Sequence, residues 1–212
     1  MSHSLETWCA DAKRILKEKP VNEARAALAE TLKGLLVDPG FISTYFDEQK
    51  GEPQKIIYRD PELGFLVMVH HHKPGRKGPP HDHGDSWAIY GVSKGYTEMT
   101  EWRRQDNGSK PDYAEIEPDR SYRLDVGMTA AYGPKVIHNT HHPEGAWVVR
   151  VTGCDLDAIP RLRFTQNGKR SRSLAGPPHN EKTTLSVWPI ARIGSKASPA
   201  LIPRFKPVRS RV

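Results

Sequence analysis

The sequence predicts an antiparallel β-barrel or sandwich that follows two helices. Apolar residues repeat at helical spacing only in the first forty positions, and the chain then breaks into short apolar segments between turns. No helical pattern of 10–15 residues separates those segments. Parallel strands need a crossover of a dozen or more residues, usually a helix. We therefore expect residues 41–168 to form an all-β domain of antiparallel strands.

The helices are predicted within residues 1–40. The first apolar stripe is interrupted by Pro20, and the second is stopped by Asp38-Pro39-Gly40. A single apolar face predicts that each helix packs on the outside of the barrel. The stripes are formed by Leu5, Trp8, Ala12, Ile15 and Leu16, and then by Val21, Ala24, Leu28, Leu32, Leu35 and Leu36.

Strands follow as short apolar runs. Turn signals at Lys73-Pro74-Gly75, Ser93-Lys94-Gly95 and Asp106-Asn107-Gly108 separate them. The runs lie at residues 56–58, 64–69, 86–92, 96–103 and 146–152.

Residues 169–212 form a basic, proline-rich tail. They show no sustained period, and their few apolar residues cannot offset the entropy of ordering, so we expect the tail to be disordered or loosely packed. Residues 161–212 hold 12 of the 32 Lys and Arg and one acid, which leaves 20 bases and 24 acids in residues 1–160. The net charge of +7 therefore belongs to the tail. A basic tail without a readout element makes nucleic-acid binding the weakest functional hypothesis.

Composition excludes several classes of protein. No run approaches the roughly 20 apolar residues of a membrane span. Two cysteines, Cys9 and Cys154, cannot form a disulfide framework or a structural zinc finger. The first residues lack the basic and apolar pattern of a signal peptide, so we expect a cytoplasmic protein.

A histidine pair, His81-Asp82-His83, is the strongest chemical signal. On an extended segment, residues i and i+2 point the same way, so both imidazoles can reach one metal ion. Neutral imidazole suits iron, zinc, copper and nickel alike.

The surroundings of this pair resemble the first motif of the cupin family. In that motif His-x-His is followed by a carboxylate ligand, here replaced by Ala88, and by a turn glycine, here Gly95. Gly127, Gly133-Pro134 and His138 resemble the second motif, which supplies a third histidine. The 55 positions from His83 to His138 are similar to the interval in cysteine dioxygenase and 3-mercaptopropionate dioxygenase, which bind iron by three histidines.

The resemblance implies a fold, a cofactor and a ligand set. The fold is the cupin double-stranded β-helix, an antiparallel jelly-roll barrel with N-terminal helices. His81, His83 and His138 would hold Fe(II), with zinc, nickel or manganese as alternatives.

The resemblance also implies roles for other residues. Arg59 falls where cysteine dioxygenase carries its carboxylate-binding arginine. Val148, Arg150 and Thr152 stand where the thiol dioxygenases have Ser, His and Tyr, so Arg150 is a second candidate for substrate binding and catalysis. A carboxylate such as Asp85 or Glu98 is the alternative partner of Arg150. Tyr90 is a candidate to supply a catalytic phenol from another direction.

The remaining histidines are expected outside the centre. His70-His71-His72 ends a strand and is predicted at the surface or the barrel mouth, with some of its members able to face the metal. His141 and His142 adjoin a turn and are predicted to be solvated.

Two functional hypotheses follow. The first is a non-haem iron dioxygenase that uses O2 and a small carboxylate-bearing substrate, by resemblance a thiol oxidised to a sulfinate. The second is a non-catalytic or differently reacting cupin, which cleaves β-diketones or binds a small molecule as a regulatory barrel. Monomer and dimer are both open.

Overall fold

The computed structural model describes residues 4–46, 53–165 and 170–173. Three helices come first: α1 (Leu5–Glu18), α2 (Val21–Leu36) and α3 (Pro39–Tyr45). The side chain of Ser4 accepts a hydrogen bond from the Thr7 amide and caps α1. Asp38 caps α3 in the same way, by accepting from the Phe41 amide. The sequence predicted two helices and a barrel beginning at residue 41. A third helix crosses that boundary, because Asp38, which was expected to end the second helix, also caps the start of α3.

Two antiparallel sheets form the body of the described chain. The first sheet has the strand order β1-β2-β9-β4-β7, and the second has the order β3-β8-β5-β6. Strands β10 and β11 form an antiparallel pair that is bridged to the second sheet through His81. The bounds are β1 Gln54–Arg59, β2 Leu66–His71, β3 Arg76–Lys77, β4 Ala88–Lys94, β5 Tyr96–Arg104, β6 Ile116–Asp125, β7 Thr129–Tyr132, β8 Ile137–His142, β9 Trp147–Thr152, β10 Arg161–Phe164 and β11 Arg170–Ser173.

The chain moves repeatedly between the sheets after β4. Strands β5 and β6 lie in the second sheet, β7 in the first, β8 in the second and β9 in the first. Every pairing within the two sheets is antiparallel. This topology confirms the predicted fold class, an antiparallel double-stranded β-helix.

The first sheet has two different faces. Odd-numbered residues of its central strands, such as Val67, Ile89 and Val151, pack with Leu32 and Leu36 of α2 in one buried cluster. Even-numbered residues of the same strands face the other sheet. The helices therefore cover the outside of the barrel, and the inner face carries the site.

The tail is described only in part. Arg170–Ser173 form β11 within the segment that was expected to be disordered or loosely packed. The rest of the tail lies outside the described residues. Within the described ranges, no helix combines the length and the apolar character that a membrane crossing requires.

Candidate metal centre

Three histidines from two segments meet beside β8 of the second sheet. His81 and His138 exchange both backbone hydrogen bonds, each 2.9 Å long, so β8 fixes the position of the preceding loop. Asp82 anchors the loop from the other side. Its buried carboxylate accepts from the Leu162 amide at 2.9 Å and from the Gly84 amide at 3.0 Å. His83 is thereby held beside its two partners.

The geometry of the trio suits one metal ion. The potential ligand atoms of His81, His83 and His138 all lie within 4.8 Å of one another. Their ring centroids are 4.8–5.3 Å apart. Small side-chain rotations would place all three nitrogens on one ion.

Backbone carbonyls set the tautomers of two of these imidazoles. Nδ1 of His81 lies 3.0 Å from the Pro79 carbonyl oxygen, and Nδ1 of His138 lies 3.2 Å from that of Val136. A carbonyl can only accept, so each Nδ1 carries the proton and each Nε2 keeps its lone pair. This arrangement is typical of metal-bound histidine, whose other nitrogen donates to a backbone or carboxylate oxygen.

Burial keeps the trio neutral. It lowers the pKa of His81 to about 4 and that of His138 to about 3, and it lowers the pKa of His83 well below the ordinary value. Nearby cationic groups, Arg150 among them, act in the same direction. A histidine must be neutral to bind a metal, so the ligands are ready at physiological pH.

The donor set fits the metal that the resemblance implies. Ala88, at the position of the family's carboxylate, is fully buried and supplies no ligand atom. Among the described residues, the group of potential ligands contains three imidazoles and no carboxylate. Such a set suits iron, zinc, copper or nickel and does not select one of them.

Tyr90 lies directly beside the trio. Its hydroxyl oxygen is 3.3 Å from Nε2 of His83 and 3.4 Å from Nε2 of His138. Burial raises the pKa of Tyr90, and Arg150 opposes that rise. The phenol is therefore protonated near the expected metal position.

Arg150 lines a small cavity together with His81 and Tyr90. It pairs across the sheet with Met68 on one side and Tyr90 on the other, and its Nη2 is 3.2 Å from the Met68 sulfur. Its Nε is buried without a hydrogen-bond partner. The two carboxylates considered as its alternative partners are engaged elsewhere: Asp85 with Lys135 at 3.0 Å, and Glu98 with His141 at 2.7 Å.

Arg59 is not part of this cavity, which corrects its predicted role as a carboxylate anchor. It is the last residue of the edge strand β1 and pairs with Leu66, which pairs in turn with Thr152. At that end of the sheet its guanidinium meets Asp155 at 3.1 Å and is 52% exposed.

Three further histidines line the cavity. His70 and His72 face inward, and His71 between them packs on Trp147 outside, as alternation along a strand requires. His142 is buried, so the expectation that it is solvated is wrong, whereas His141 beside it is exposed. The period of two could have located His142, because His138, Thr140 and His142 alternate on β8.

The cavity is small and cationic. Its volume is about 140 Å³, which suits a small molecule. Four arginines contribute to its lining, and Asp82 is the only acid among the described lining residues. Those arginines are Arg76, Arg150, Arg161 and Arg163.

Several solved structures are similar to about half of this chain. No protein-family model matches the chain, and no curated protein matches it. DMSP lyase DddQ from Ruegeria pomeroyi DSS-3 is 16% identical with a TM-score of 0.36, over 51% of this chain and 47% of that chain. An uncharacterized conserved protein with a double-stranded beta-helix domain from Klebsiella pneumoniae subsp. pneumoniae MGH 78578 is 22% identical with a TM-score of 0.37, over 52% and 80%.

Hydroquinone 1,2-dioxygenase PnpCD, in complex with Cd2+ and 4-hydroxybenzonitrile, is 11% identical with a TM-score of 0.38, over 49% and 66% of the two chains. Similarities of this size assign neither a family nor an activity. The fold rests on the strand pairings of this chain. The site rests on its own geometry: three neutral imidazoles close together, one of which, His81, lines a cationic cavity.

Proposed function

We propose that this protein is a mononuclear iron(II) dioxygenase that acts on a small carboxylate-bearing thiol. The reaction adds both atoms of O2 to the thiol sulfur and yields the sulfinate and one proton. The observation that supports this proposal best is a small cavity lined by one histidine of the trio, His81, and by Arg150, an arginine with no carboxylate partner among the described residues.

His81, His83 and His138 would hold the iron. When bound, the ion supplies open coordination positions and the redox chemistry of oxygen activation. The three imidazoles leave the charge of the iron uncompensated, because no described carboxylate joins them. An anionic substrate donor atom is favoured in such a site.

Arg150 would bind the substrate carboxylate. A half-buried guanidinium with an unpartnered Nε gains most from an anion that can accept two parallel hydrogen bonds. Because Arg150 pairs with Tyr90 across β9 and β4, a carboxylate on Arg150 places the rest of the substrate beside the trio. The guanidinium therefore fixes orientation as well as charge.

Tyr90 would hold a proton beside the reacting atoms. Its hydroxyl lies within 3.4 Å of two ligand nitrogens, so it could donate a hydrogen bond to a substrate held beside the trio. A preorganised donor in a dry site stabilises developing negative charge.

A differently reacting metal-binding protein is the second candidate function. The inner face of β9 carries Val148, Arg150 and Thr152 in place of the Ser, His and Tyr of the thiol dioxygenases. This departure favours other chemistry on the same centre, such as β-diketone cleavage, or binding without turnover.

The test combines metal content with oxygen uptake. We expect the protein reconstituted with Fe(II) to bind one equivalent and to consume O2 with a thiol acid such as 3-mercaptopropionate or cysteine. His83→Ala should lose most of the iron, whereas His141→Ala, which changes an exposed histidine outside the trio, should keep it. Turnover of a neutral β-diketone and of no thiol acid would contradict the dioxygenase proposal and favour the second candidate.

A further inference from the structure

The second group of histidines in the cavity has no role in the proposed metal centre. The rings of His72 and His142 stack at a centroid distance of 3.8 Å and an interplanar angle of 7°. His70 continues the arrangement, 6.0 Å from His72. Nδ1 of His142 is within 3.0 Å of the Thr97 hydroxyl, and Nε2 of His70 is buried without a hydrogen-bond partner.

Strand geometry places this group away from the trio. His142 follows His138 by four residues on β8, which corresponds to about 13 Å along an antiparallel strand. On the opposite sheet, His70 pairs with Val148, which precedes Arg150 by two residues. The histidine group therefore lies one inward-facing step, roughly 7 Å, beyond Arg150. Arg76 pairs with His142 and brings a cation to the mouth of the same cavity.

The surroundings of this histidine group are cationic, and no described carboxylate pairs with the arginines that surround it. Burial first, and then neighbouring Arg76 and Arg150, lower the pKa of His72 to about 4. Burial, His72 and the same arginines lower the pKa of His142 to about 3. Among the described residues, no carboxylate lies within salt-bridge distance of Arg76 or Arg150. Imidazole N–H donors beside two uncompensated guanidinium groups favour an oxyanion.

A second metal ion fits this group less well. The nitrogens of two parallel stacked rings lie in separate planes, so their lone pairs run side by side and do not converge on one point. Only His81, His83 and His138 form a metal-binding group among the described residues. Two neighbouring guanidinium groups also oppose another cation.

We propose that His70, His72, His142 and Arg76 form a second anion subsite, so that the substrate carries a second acidic group beside the one on Arg150. The proposal rests on the proposed function for the first of these groups, which lies on Arg150. The substrate class is then a short thiol with two carboxylates, one on Arg150 near the metal centre and the other at this second subsite.

Binding to the metal-free protein tests the subsite separately from the reaction. We expect glutarate to bind at least about tenfold more tightly than valerate, which has the same chain length and one carboxylate fewer, because the second carboxylate gains charge-assisted hydrogen bonds. Titration calorimetry measures both affinities.

Two variants assign the difference to the subsite. His142→Asn keeps a polar atom near Thr97 and removes the outer nitrogen, and Arg76→Gln changes an exposed side chain. Each should remove most of the preference for glutarate while leaving valerate binding unchanged. His141→Asn is the matched control and should keep the preference.

The outcomes separate the proposals. Equal binding of glutarate and valerate, or a preference that survives both variants, would overturn the subsite. A second equivalent of Zn²⁺ that disappears in His142→Asn would also overturn it, in favour of a metal site. A preference that depends on His142 in a protein without oxygen uptake would support the subsite and reject the dioxygenase proposal.

Discussion

At the scale of single residues, Arg150 connects the two halves of the cavity. It lies beside Tyr90 at the metal end, and none of the ion pairs of the described residues involves it. We expect Arg150→Lys to raise KM for the carboxylate substrate at least about tenfold, because lysine offers a point charge in place of a bidentate fork. Steady-state oxygen uptake gives KM, and iron content should remain that of the parent protein. An unchanged KM would remove Arg150 from substrate binding.

Tyr90 gives a separate prediction on turnover. Tyr90→Phe keeps the buried ring and removes the hydroxyl that lies between two ligand nitrogens. We expect kcat to fall about tenfold or more, with KM and iron content nearly constant, since the lost hydrogen bond would act mainly in the transition state. Tyr122→Phe, which removes a hydroxyl bonded to Tyr132 and Glu101 outside the trio, is the control. Equal kcat in both variants would exclude the proposed role.

Sequence patterns located the trio but not its whole environment. His81 and His83 are recognisable because alternation along an extended segment needs no knowledge of strand pairing. The position of Arg59 depends on which end of an edge strand meets which loop, and β1 also contains a register shift between Ile56 and Tyr58. Such a shift changes the partners of every later residue and leaves no sequence signal.

At the scale of elements, polar strands were the ones that the apolar pattern could not predict. Strand β8 buries His138, Asn139, Thr140 and His142, so the strand with the third histidine looks like a loop in hydropathy. Strand β6 also lacks an apolar run, because it lies at the edge of its sheet and is largely exposed. The elements that build a polar cavity are therefore the least visible in a search for apolar runs.

Gly84 shows how closely the elements around the trio approach each other. Its φ is +56°, and a Cβ there would overlap the Pro160 carbonyl oxygen. We expect Gly84→Ala to lower Tm by several degrees and to weaken iron binding, because the loop that carries His83 must move. The control is Gly145→Ala, where φ is +79° and nothing lies within 4 Å of the added Cβ. It has the same backbone strain without the overlap, so it should lose about 1 kcal/mol and keep its iron.

At the scale of the whole molecule, the buried histidines make stability depend on pH. Burial is the largest cause of the lowered pKa of His70, His72 and His142 in the folded chain. Between pH 6.5 and about 4 the unfolded chain binds protons on these residues that the folded chain does not bind. The free energy of unfolding is therefore highest above pH 6.5 and decreases as the pH falls toward 4.

The decrease can be measured by urea unfolding of iron-free protein at pH 7.5, 6 and 5. Each histidine that is protonated only in the unfolded chain contributes a slope of up to about 1.4 kcal/mol per pH unit. His142→Asn removes one such group, so its unfolding free energy should fall less steeply with decreasing pH than that of the parent protein. Parallel slopes for the parent and His142→Asn would show that His142 gains its proton in the folded cavity, where a bound anion would then find an imidazolium already present.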